Sequence, residues 1–170
     1  ETFSRIEVSG PDARAFLHAQ TTNDVKSLES GEGQASASLV PKAYIIATYG
    51  LFRMEDRYVL LGDVCRRREL FEHLEKYHVC EDLRIVDRTE ESAFLLVQGP
   101  RSGPLLQHLW PQQELPLQEY GICSFAPGGD DALIVRHSET GESGFLLVGS
   151  SERVERVCGQ IRKVGPEFDY

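Results

Sequence analysis

The sequence predicts an α+β fold in which one structural unit occurs twice. Segments with the pattern of a strand followed by a helix recur at a nearly constant spacing along the 170 residues. Short turns join the strand-like segments between them, so neighbouring strands should be antiparallel rather than linked by the crossovers of a doubly wound fold. The two halves, about residues 1–85 and 86–170, are predicted to pack together with helices covering the sheets.

The first repeated unit is a strand, a turn and a short helix. "RIEVSGPDARAFL" and "FLLVQGPRSGPLL" match in register, so that Val8 recurs as Val97, 89 positions later. In both copies an apolar strand ends at glycine, proline takes the first helical position and an amphipathic helix follows.

The second repeated unit is a strand followed directly by a helix. "RYVLLGDVCRRRELFEHLEKY" parallels "GFLLVGSSERVERVCGQIRKV", which places Tyr58 over Phe145, 87 positions later. Apolar residues recur at three- and four-residue steps in both helices, as expected for helices with one buried face. The predicted core residues of the two copies are Phe16, Leu17, Leu60, Phe71, Leu74, Leu106, Leu147 and Ile161.

Between these units each half contains strand-like segments, "ASASLV" and "AYIIATYGLF" in the first half, "YGICSF" and "ALIVRHS" in the second. "DLRIVDR" is predicted to bridge the halves. "LWPQQELPLQEYG" contains two prolines among polar residues and predicts a surface loop with Trp110 packed beneath it.

The composition narrows the possible partners and the cellular setting. A formal net charge of −9 argues against nucleic acid as the main partner, and no apolar run is long enough to cross a bilayer. The one dense basic run, Arg66 to Arg68, is either a solvated helix face or an anion contact. Four scattered cysteines without a CxxC pair, and no leader-like segment, predict a cytoplasmic protein. In "HLEKYHVC" the spacing places His73 and His78 on different helix faces, which argues against a metal site with Cys80.

The segment "HSETGESGFLLVG" places Gly141 and Gly144 on either side of one acid, Glu142. At the spacing of the repeat, "GESG" lies over "MEDR" of the first half without a gap, and that turn contains no glycine. The glycines are therefore either another way of making the turn or places where a ligand approaches the backbone closely. A carboxylate beside them would suit a planar edge with two adjacent N–H donors, such as that of a pterin or a guanine.

"VSGPDARAFLHAQTTNDV", "EDRYVLLGDV" and "RHSETGESGF", in this order and with the duplication, resemble the folate-binding domain of the glycine-cleavage T-protein (aminomethyltransferase) family. The family also includes the folate-binding domains of dimethylglycine and sarcosine dehydrogenases, and a branch that serves iron–sulfur cluster assembly and tRNA modification. Typical members continue into further segments and a C-terminal barrel, which would lie beyond residue 170.

The resemblance implies a ligand and a set of contacts. The ligand is tetrahydrofolate or its 5,10-methylene or 5-formyl derivative, bound between the two halves. The family signature R-x-x-x-T-G-E-x-G-F falls on residues 136–145, and its glutamate is expected to grip the pterin edge. The folate-binding residues implied in this way are Glu142, Gly141, Gly144, Arg136 and Asp63.

The first half departs from the family pattern at the catalytic position. Aminomethyltransferases carry an acidic pair there, whose aspartate assists attack by the folate amine on an aminomethyl carbon attached to a lipoyl carrier protein. Here the matching residues are Ile46 and Ala47, so no catalytic residue is assigned. The lead-in L-x-P-K, Leu39 to Lys42, resembles the iron–sulfur branch, in which glycine commonly follows where this chain has Ala43.

Three functions therefore remain open. The first is folate binding with aminomethyl transfer, with a lipoyl carrier protein as partner. The second is a non-catalytic, folate-dependent role in iron–sulfur assembly or tRNA modification. The third is an interaction module that keeps only the scaffold.

Overall fold

The computed structural model describes residues 2–128 and 131–165, which form two antiparallel sheets and four helices. Contacts divide the chain into two compact units, residues 1–90 and 91–170, here called unit 1 and unit 2. No helix in the described ranges is both long and apolar enough to span a membrane. The predicted α+β fold class is confirmed.

Unit 1 contains a five-stranded sheet in the order β2-β3-β4-β1-β5, in which every pair is antiparallel. "DLRIVDR", predicted to bridge the halves, supplies the edge strand β5, which pairs with β1. The elements of unit 1 are β1 (Phe3–Ser9), α1 (Ala13–Gln20), β2 (Gly33–Val40), β3 (Tyr44–Arg53), β4 (Arg57–Asp63), α2 (Arg67–Tyr77) and β5 (Arg84–Asp87).

Unit 2 contains a four-stranded antiparallel sheet in the order β6-β9-β8-β7. This order repeats β1-β4-β3-β2 of unit 1, and helices α1 and α3 begin and end 89 residues apart, as the sequence repeat predicts. The elements of unit 2 are β6 (Ala93–Gln98), α3 (Ser102–Leu109), β7 (Ile122–Ser124), β8 (Leu133–Arg136), β9 (Gly144–Gly149) and α4 (Ser151–Val164).

Helices α1 and α3 begin two residues after the proline that was predicted to open them. Gly10 and Gly99 have φ values of 120° and 134°, a region that side chains rarely allow. Their carbonyls accept hydrogen bonds from the amides of Ala13 and Ser102 at 3.2 and 3.0 Å. Each Gly-Pro pair therefore forms a turn that leads into the helix.

Each unit has its own apolar core, and six of the eight predicted core residues are buried in it. Phe71 and Ile161 are the exceptions, because both are only half-buried at the edges of these cores. In α2 the buried face is centred on Leu70 and Leu74, which leaves Phe71 at its flank. In α4 Val157 is the fully buried residue, and Ile161 packs at the margin.

Trp110 is packed, as predicted, and the basic run Arg66 to Arg68 has the contacts expected of a solvated helix face. Trp110 packs edge-to-face on Phe125, with ring centroids 5.0 Å apart, against the core of unit 2.

In the basic run each guanidinium has an acidic partner in unit 1, and Arg67 lies 2.5 Å from a carboxylate oxygen of Asp87. The hydrogen bond to Asp87 raises the pKa of Arg67. Such pairing is typical of a solvated helix face.

Candidate functional site

The β8–β9 hairpin carries four of the five predicted site residues, and its loop is longer than the sequence repeat suggested. Arg136 pairs with Phe145, and the amide of His137 donates to the Gly144 carbonyl at 3.2 Å, so residues 138–143 form the loop.

The matching hairpin of unit 1 closes over two residues. Arg53 pairs with Tyr58, and the amide of Met54 donates to the Arg57 carbonyl at 2.8 Å, which leaves residues 55–56 as the turn. The alignment of "GESG" with "MEDR" without a gap is therefore wrong, because unit 2 has four additional loop residues. The structural counterpart of Arg136 is Arg53.

The two glycines that flank Glu142 have structural reasons of their own. Gly141 has a φ of 83°, and an added Cβ there would meet no atom within 4 Å. An added Cβ at Gly144 would lie 2.3 Å from the carbonyl oxygen of His137. Gly141 thus sets the direction of the chain, and Gly144 permits the hairpin to close.

Ser143 fastens the loop to the body of unit 2. Its carbonyl accepts hydrogen bonds from the Gly99 amide at 2.8 Å and from the Ser102 hydroxyl at 3.1 Å. Its hydroxyl accepts a hydrogen bond from Nη1 of Arg136 at 2.8 Å. On the other side of Glu142, the side-chain amide of Gln98 donates to the Thr140 hydroxyl. Residues on both sides of Glu142, Thr140 and Ser143, are therefore held by hydrogen bonds to the rest of unit 2.

Glu142 itself is exposed, and within residues 2–128 and 131–165 its carboxylate has no hydrogen bond or ion pair. Glu139 is also exposed, and its carboxylate lies 3.6 Å from Nε2 of His137. The Arg136 guanidinium lies over the Phe145 ring, 4.8 Å from its centroid, and so supports the hairpin. Glu142 is the loop acid whose two oxygens are available to a ligand.

Asp63, the fifth predicted site residue, belongs to unit 1. It ends β4, is exposed, and its carboxylate accepts a hydrogen bond from the Cys65 amide at 2.7 Å. This contact caps the 3₁₀ turn of residues 64–66. Asp63 therefore has a local structural role beside its predicted one.

Ile46 and Ala47, at the position of the family's acidic pair, lie in β3. Ser38 pairs with Ala47 and Leu39 pairs with Ile45, which leaves Ile46 as the extra residue of a β-bulge. Ala47 is only 3% exposed in the core of unit 1, and Ile46 packs against that core. Apolar side chains thus replace ionisable ones at a bulge, a feature that re-aims side chains beside many active sites.

The hairpin between β2 and β3 turns at residues 41–43. The amide of Ala43 donates to the Val40 carbonyl at 3.0 Å, while Lys42 and Ala43 have φ values of 86° and 61°. Glycine is favoured in this left-handed region. The glycine that commonly follows the lysine in the iron–sulfur branch would suit this backbone, and Ala43 adopts the same conformation at some cost.

A cavity of about 510 Å³ in unit 2 contains residues that the sequence analysis did not single out. It lies beside Arg136 and Phe145, against α3 and the loop that follows it. A signal was present in the sequence, because Gly103 stands in a predicted helix where the first copy has Arg14. The remaining lining residues are Gln107, Glu114, Leu115, Pro116 and Leu117.

The four cysteines are free thiols. Cys123 is half-buried, and burial raises its pKa to about 11, with the nearby Glu114 adding to the rise. Within the part of the chain that the structure describes, no three His, Cys, Asp or Glu side chains are grouped as metal ligands.

The fold places the chain in the class of duplicated α+β domains found in aminomethyltransferases. The glycine cleavage system aminomethyltransferase T from Bartonella henselae superposes on 94% of this chain and 43% of its own, with a TM-score of 0.85 at 24% identity. A chain of the heterotetrameric sarcosine oxidase from Corynebacterium sp. U-96 superposes on 99% of this chain, with a TM-score of 0.66 at 16% identity. These likenesses establish the fold.

The chain belongs to the GCVT N-terminal domain family, whose match spans residues 1–170. Sequence relatives include the aminomethyltransferases of Chloroherpeton thalassium, 29% identical over 167 residues, and of Bacillus subtilis, 28% identical over 165 residues. Each match covers 96% of this chain and 45% of the relative, so the chain spans about half the length of these relatives.

Proposed function

We propose that this chain binds tetrahydrofolate, or its 5,10-methylene or 5-formyl derivative, with the Glu142 carboxylate as the group that contacts the pterin. Membership in the GCVT N-terminal domain family supports a folate-dependent function of the glycine-cleavage T type. The observation that carries the proposal is the exposed Glu142 carboxylate, which in the described ranges has no protein partner, next to the firmly held Ser143.

The geometry fits the chemistry of a pterin edge. A carboxylate offers two parallel acceptor oxygens, and the edge of an aminopyrimidinone offers two adjacent N–H donors. Because Ser143 is fixed by Gly99, Ser102 and Arg136, the neighbouring Glu142 loses little backbone entropy on binding, and the remaining cost is the rotamer freedom of its side chain.

Replacing Glu142 with glutamine tests the contact directly. Glu142→Gln keeps the size of the side chain but removes the charge and one acceptor, so we expect tetrahydrofolate affinity to fall about tenfold to a hundredfold, as for a lost charged hydrogen bond of about 1.5–3 kcal/mol. Isothermal titration of the purified protein with tetrahydrofolate and 5-formyltetrahydrofolate measures the change.

Glu139→Gln is the matched control. Glu139 lies on the same loop, is exposed and has the same charge, but its carboxylate faces His137. Equal losses in both variants would reduce the effect to general electrostatics and remove Glu142 from the site. Absence of folate binding by the full-length protein, with any segment beyond residue 170 included, would leave the scaffold-only module as the remaining function.

A second proposal concerns the chemistry that follows binding. The family implies aminomethyl transfer to tetrahydrofolate, with a lipoyl carrier protein as donor. Ile46 and Ala47 contain no group that moves a proton or stabilises a developing cation, and Ala47 is buried in the core. These residues favour the non-catalytic, folate-dependent role in iron–sulfur assembly or tRNA modification.

Turnover of an aminomethyl-lipoyl donor distinguishes the two roles. We expect the protein to bind tetrahydrofolate without releasing ammonia from the donor above the uncatalysed rate. Ammonia release coupled to formation of methylenetetrahydrofolate would contradict the non-catalytic role, and it would place the catalytic acid somewhere other than positions 46 and 47.

A further inference from the structure

We propose that unit 2 has a second ligand site, separate from Glu142, in which the cavity beside Arg136 binds a small planar carboxylate. The cavity holds about 510 Å³, within the usual range of small-molecule pockets. One cation, Arg136, and the apolar residues Leu115, Pro116 and Leu117 face it together with the Phe145 ring.

Unit 1 fills the equivalent place with its own atoms. Arg14, on α1, donates to the carbonyls of Lys26 and Leu28. Arg53, the counterpart of Arg136, donates from Nη1 to the same Leu28 carbonyl at 2.5 Å. Two guanidiniums therefore converge on one acceptor, and the cavity that both of them line holds about 190 Å³. A separate cavity of about 400 Å³ is lined by Arg14 and Lys26 but not by Arg53.

Unit 2 retains one of these two guanidiniums and lacks the other. The helix position equivalent to Arg14 is Gly103, so no side chain extends into the space from α3. The Arg136 guanidinium donates from Nη1 to Ser143, and within residues 2–128 and 131–165 its other N–H groups donate no hydrogen bond. A ligand carboxylate would supply the acceptor that the Leu28 carbonyl supplies in unit 1.

Packing does not explain the glycine at position 103. Its added Cβ would meet the Phe145 ring at 3.7 Å, an ordinary van der Waals distance, and its φ is not positive. Glycine in a helix is less favourable than alanine by roughly 1 kcal/mol. What the small residue provides is open space above the ring of Phe145.

The other lining residues orient the ligand. Leu117 is 91% exposed, a high value for a leucine in a monomer, and covering it with a ring would remove apolar surface from water. The Gln107 side-chain amide already donates to the Pro111 carbonyl. Glu114 also lines the cavity, and because it is an acid it repels a carboxylate and favours the Arg136 side. The ligand is therefore an aromatic or similarly flat ring with one carboxylate.

Sodium benzoate is the probe, with benzylammonium as its counterpart of opposite charge. We expect benzoate to saturate shifts of the amide resonances of Gly103, Leu115 and Leu117 in an NMR titration, and benzylammonium at the same concentration to leave them in place. Gly103→Leu fills the cavity and should weaken benzoate binding at least tenfold. Gly159→Leu, at a helical glycine with open space around it, is the matched control and should leave the affinity unchanged.

A second variant tests the site even if Gly103→Leu fails to fold. Leu117→Ser changes an exposed loop residue and should weaken benzoate binding without altering the spectrum elsewhere. Because Gly103 and Leu117 are not part of the proposed pterin contact, both variants should bind tetrahydrofolate as the unaltered protein does. Glu142→Gln should do the reverse, so the two proposals fail separately. Absence of saturable benzoate shifts, equal shifts with benzylammonium, or full affinity in Gly103→Leu would each overturn the second site.

Discussion

Arg53 and Arg136 occupy the same position in the two hairpins but make different contacts. Each stands opposite an aromatic residue, Tyr58 or Phe145, in the neighbouring strand. Arg53 binds the Leu28 carbonyl, whereas Arg136 binds the Ser143 hydroxyl of the longer loop. A guanidinium with several donors can serve either purpose, so residue identity alone does not assign its role.

Tyr49 should make the stability of unit 1 depend on alkaline pH. Its ring is buried and its hydroxyl lies 2.8 Å from that of Ser38; burial raises its pKa from 10.0 to about 12, against the opposing effect of this hydrogen bond. The folded state therefore holds the proton more tightly than the unfolded chain. The resulting stabilisation is complete below about pH 10 and is lost as the pH rises through 12, a change of about 3 kcal/mol.

Tyr49→Phe isolates this contribution in urea denaturation between pH 8 and 12. At pH 8 the variant should lose about 1 kcal/mol from the missing hydrogen bond. Because phenylalanine has no proton to lose, the difference in unfolding free energy between the two proteins should shrink and then reverse as the pH approaches 12. Parallel pH profiles would show that the Tyr49 hydroxyl is not held in its neutral form by burial.

At the scale of single elements, the β8–β9 hairpin separates residues needed for shape from those available for binding. Gly141 and Gly144 have backbone reasons for their identity, whereas the exposed Glu142 carboxylate does not contribute to the hairpin through any hydrogen bond in the described ranges. The flanking glycines were predicted as either turn residues or sites of ligand approach. The geometry accounts for both as turn residues.

An alanine substitution at Gly144 should therefore lower the unfolding free energy more than one at Gly141. Gly144→Ala brings a Cβ to 2.3 Å from a carbonyl oxygen and should lower the unfolding free energy by about 3 kcal/mol. Gly141→Ala forces a left-handed alanine into open space and should cost about 1 kcal/mol. Thermal unfolding of the two variants provides the comparison.

Titration of the same two variants with tetrahydrofolate shows whether either glycine is needed for ligand binding instead of for the turn. If Gly141→Ala left stability unchanged yet abolished tetrahydrofolate binding, close approach of the ligand would be the reason for that glycine. The same result at Gly144 would mean that the contact with the His137 carbonyl does not close the hairpin.

For the whole molecule, the excess of acidic residues is the property that bears on partners. The net charge of −9 disfavours a polyanion, because nucleic acid binding gains much of its free energy from counterions released by Lys and Arg. We expect no saturable binding of duplex DNA below about 100 µM protein at physiological salt. A filter-binding assay measures this affinity, and micromolar binding of duplex DNA would contradict the expectation. A cytoplasmic location stays a prediction from cysteine usage.

The sequence by itself determined the fold class, the duplication and the family. These follow from periodic burial and from motifs that local chemistry constrains: Gly10 and Gly99 recur because both backbones need a positive φ, and Val8 and Val97 recur because both strands face a core. Constraints of this kind can be recognised from the sequence because they recur at fixed spacings along the chain.

Only the tertiary structure decided the loop length, the bulge and the cavity. The repeat placed "GESG" over "MEDR", but strand pairing moved the counterpart of Arg136 to Arg53, since register depends on hydrogen bonds between strands distant in sequence. The bulge at Ile46 arises in the same way. The space beside Gly103 is visible only when α3, β8 and the loop after α3 are brought together, because a cavity is defined by the atoms around it and not by the residue that leaves it open.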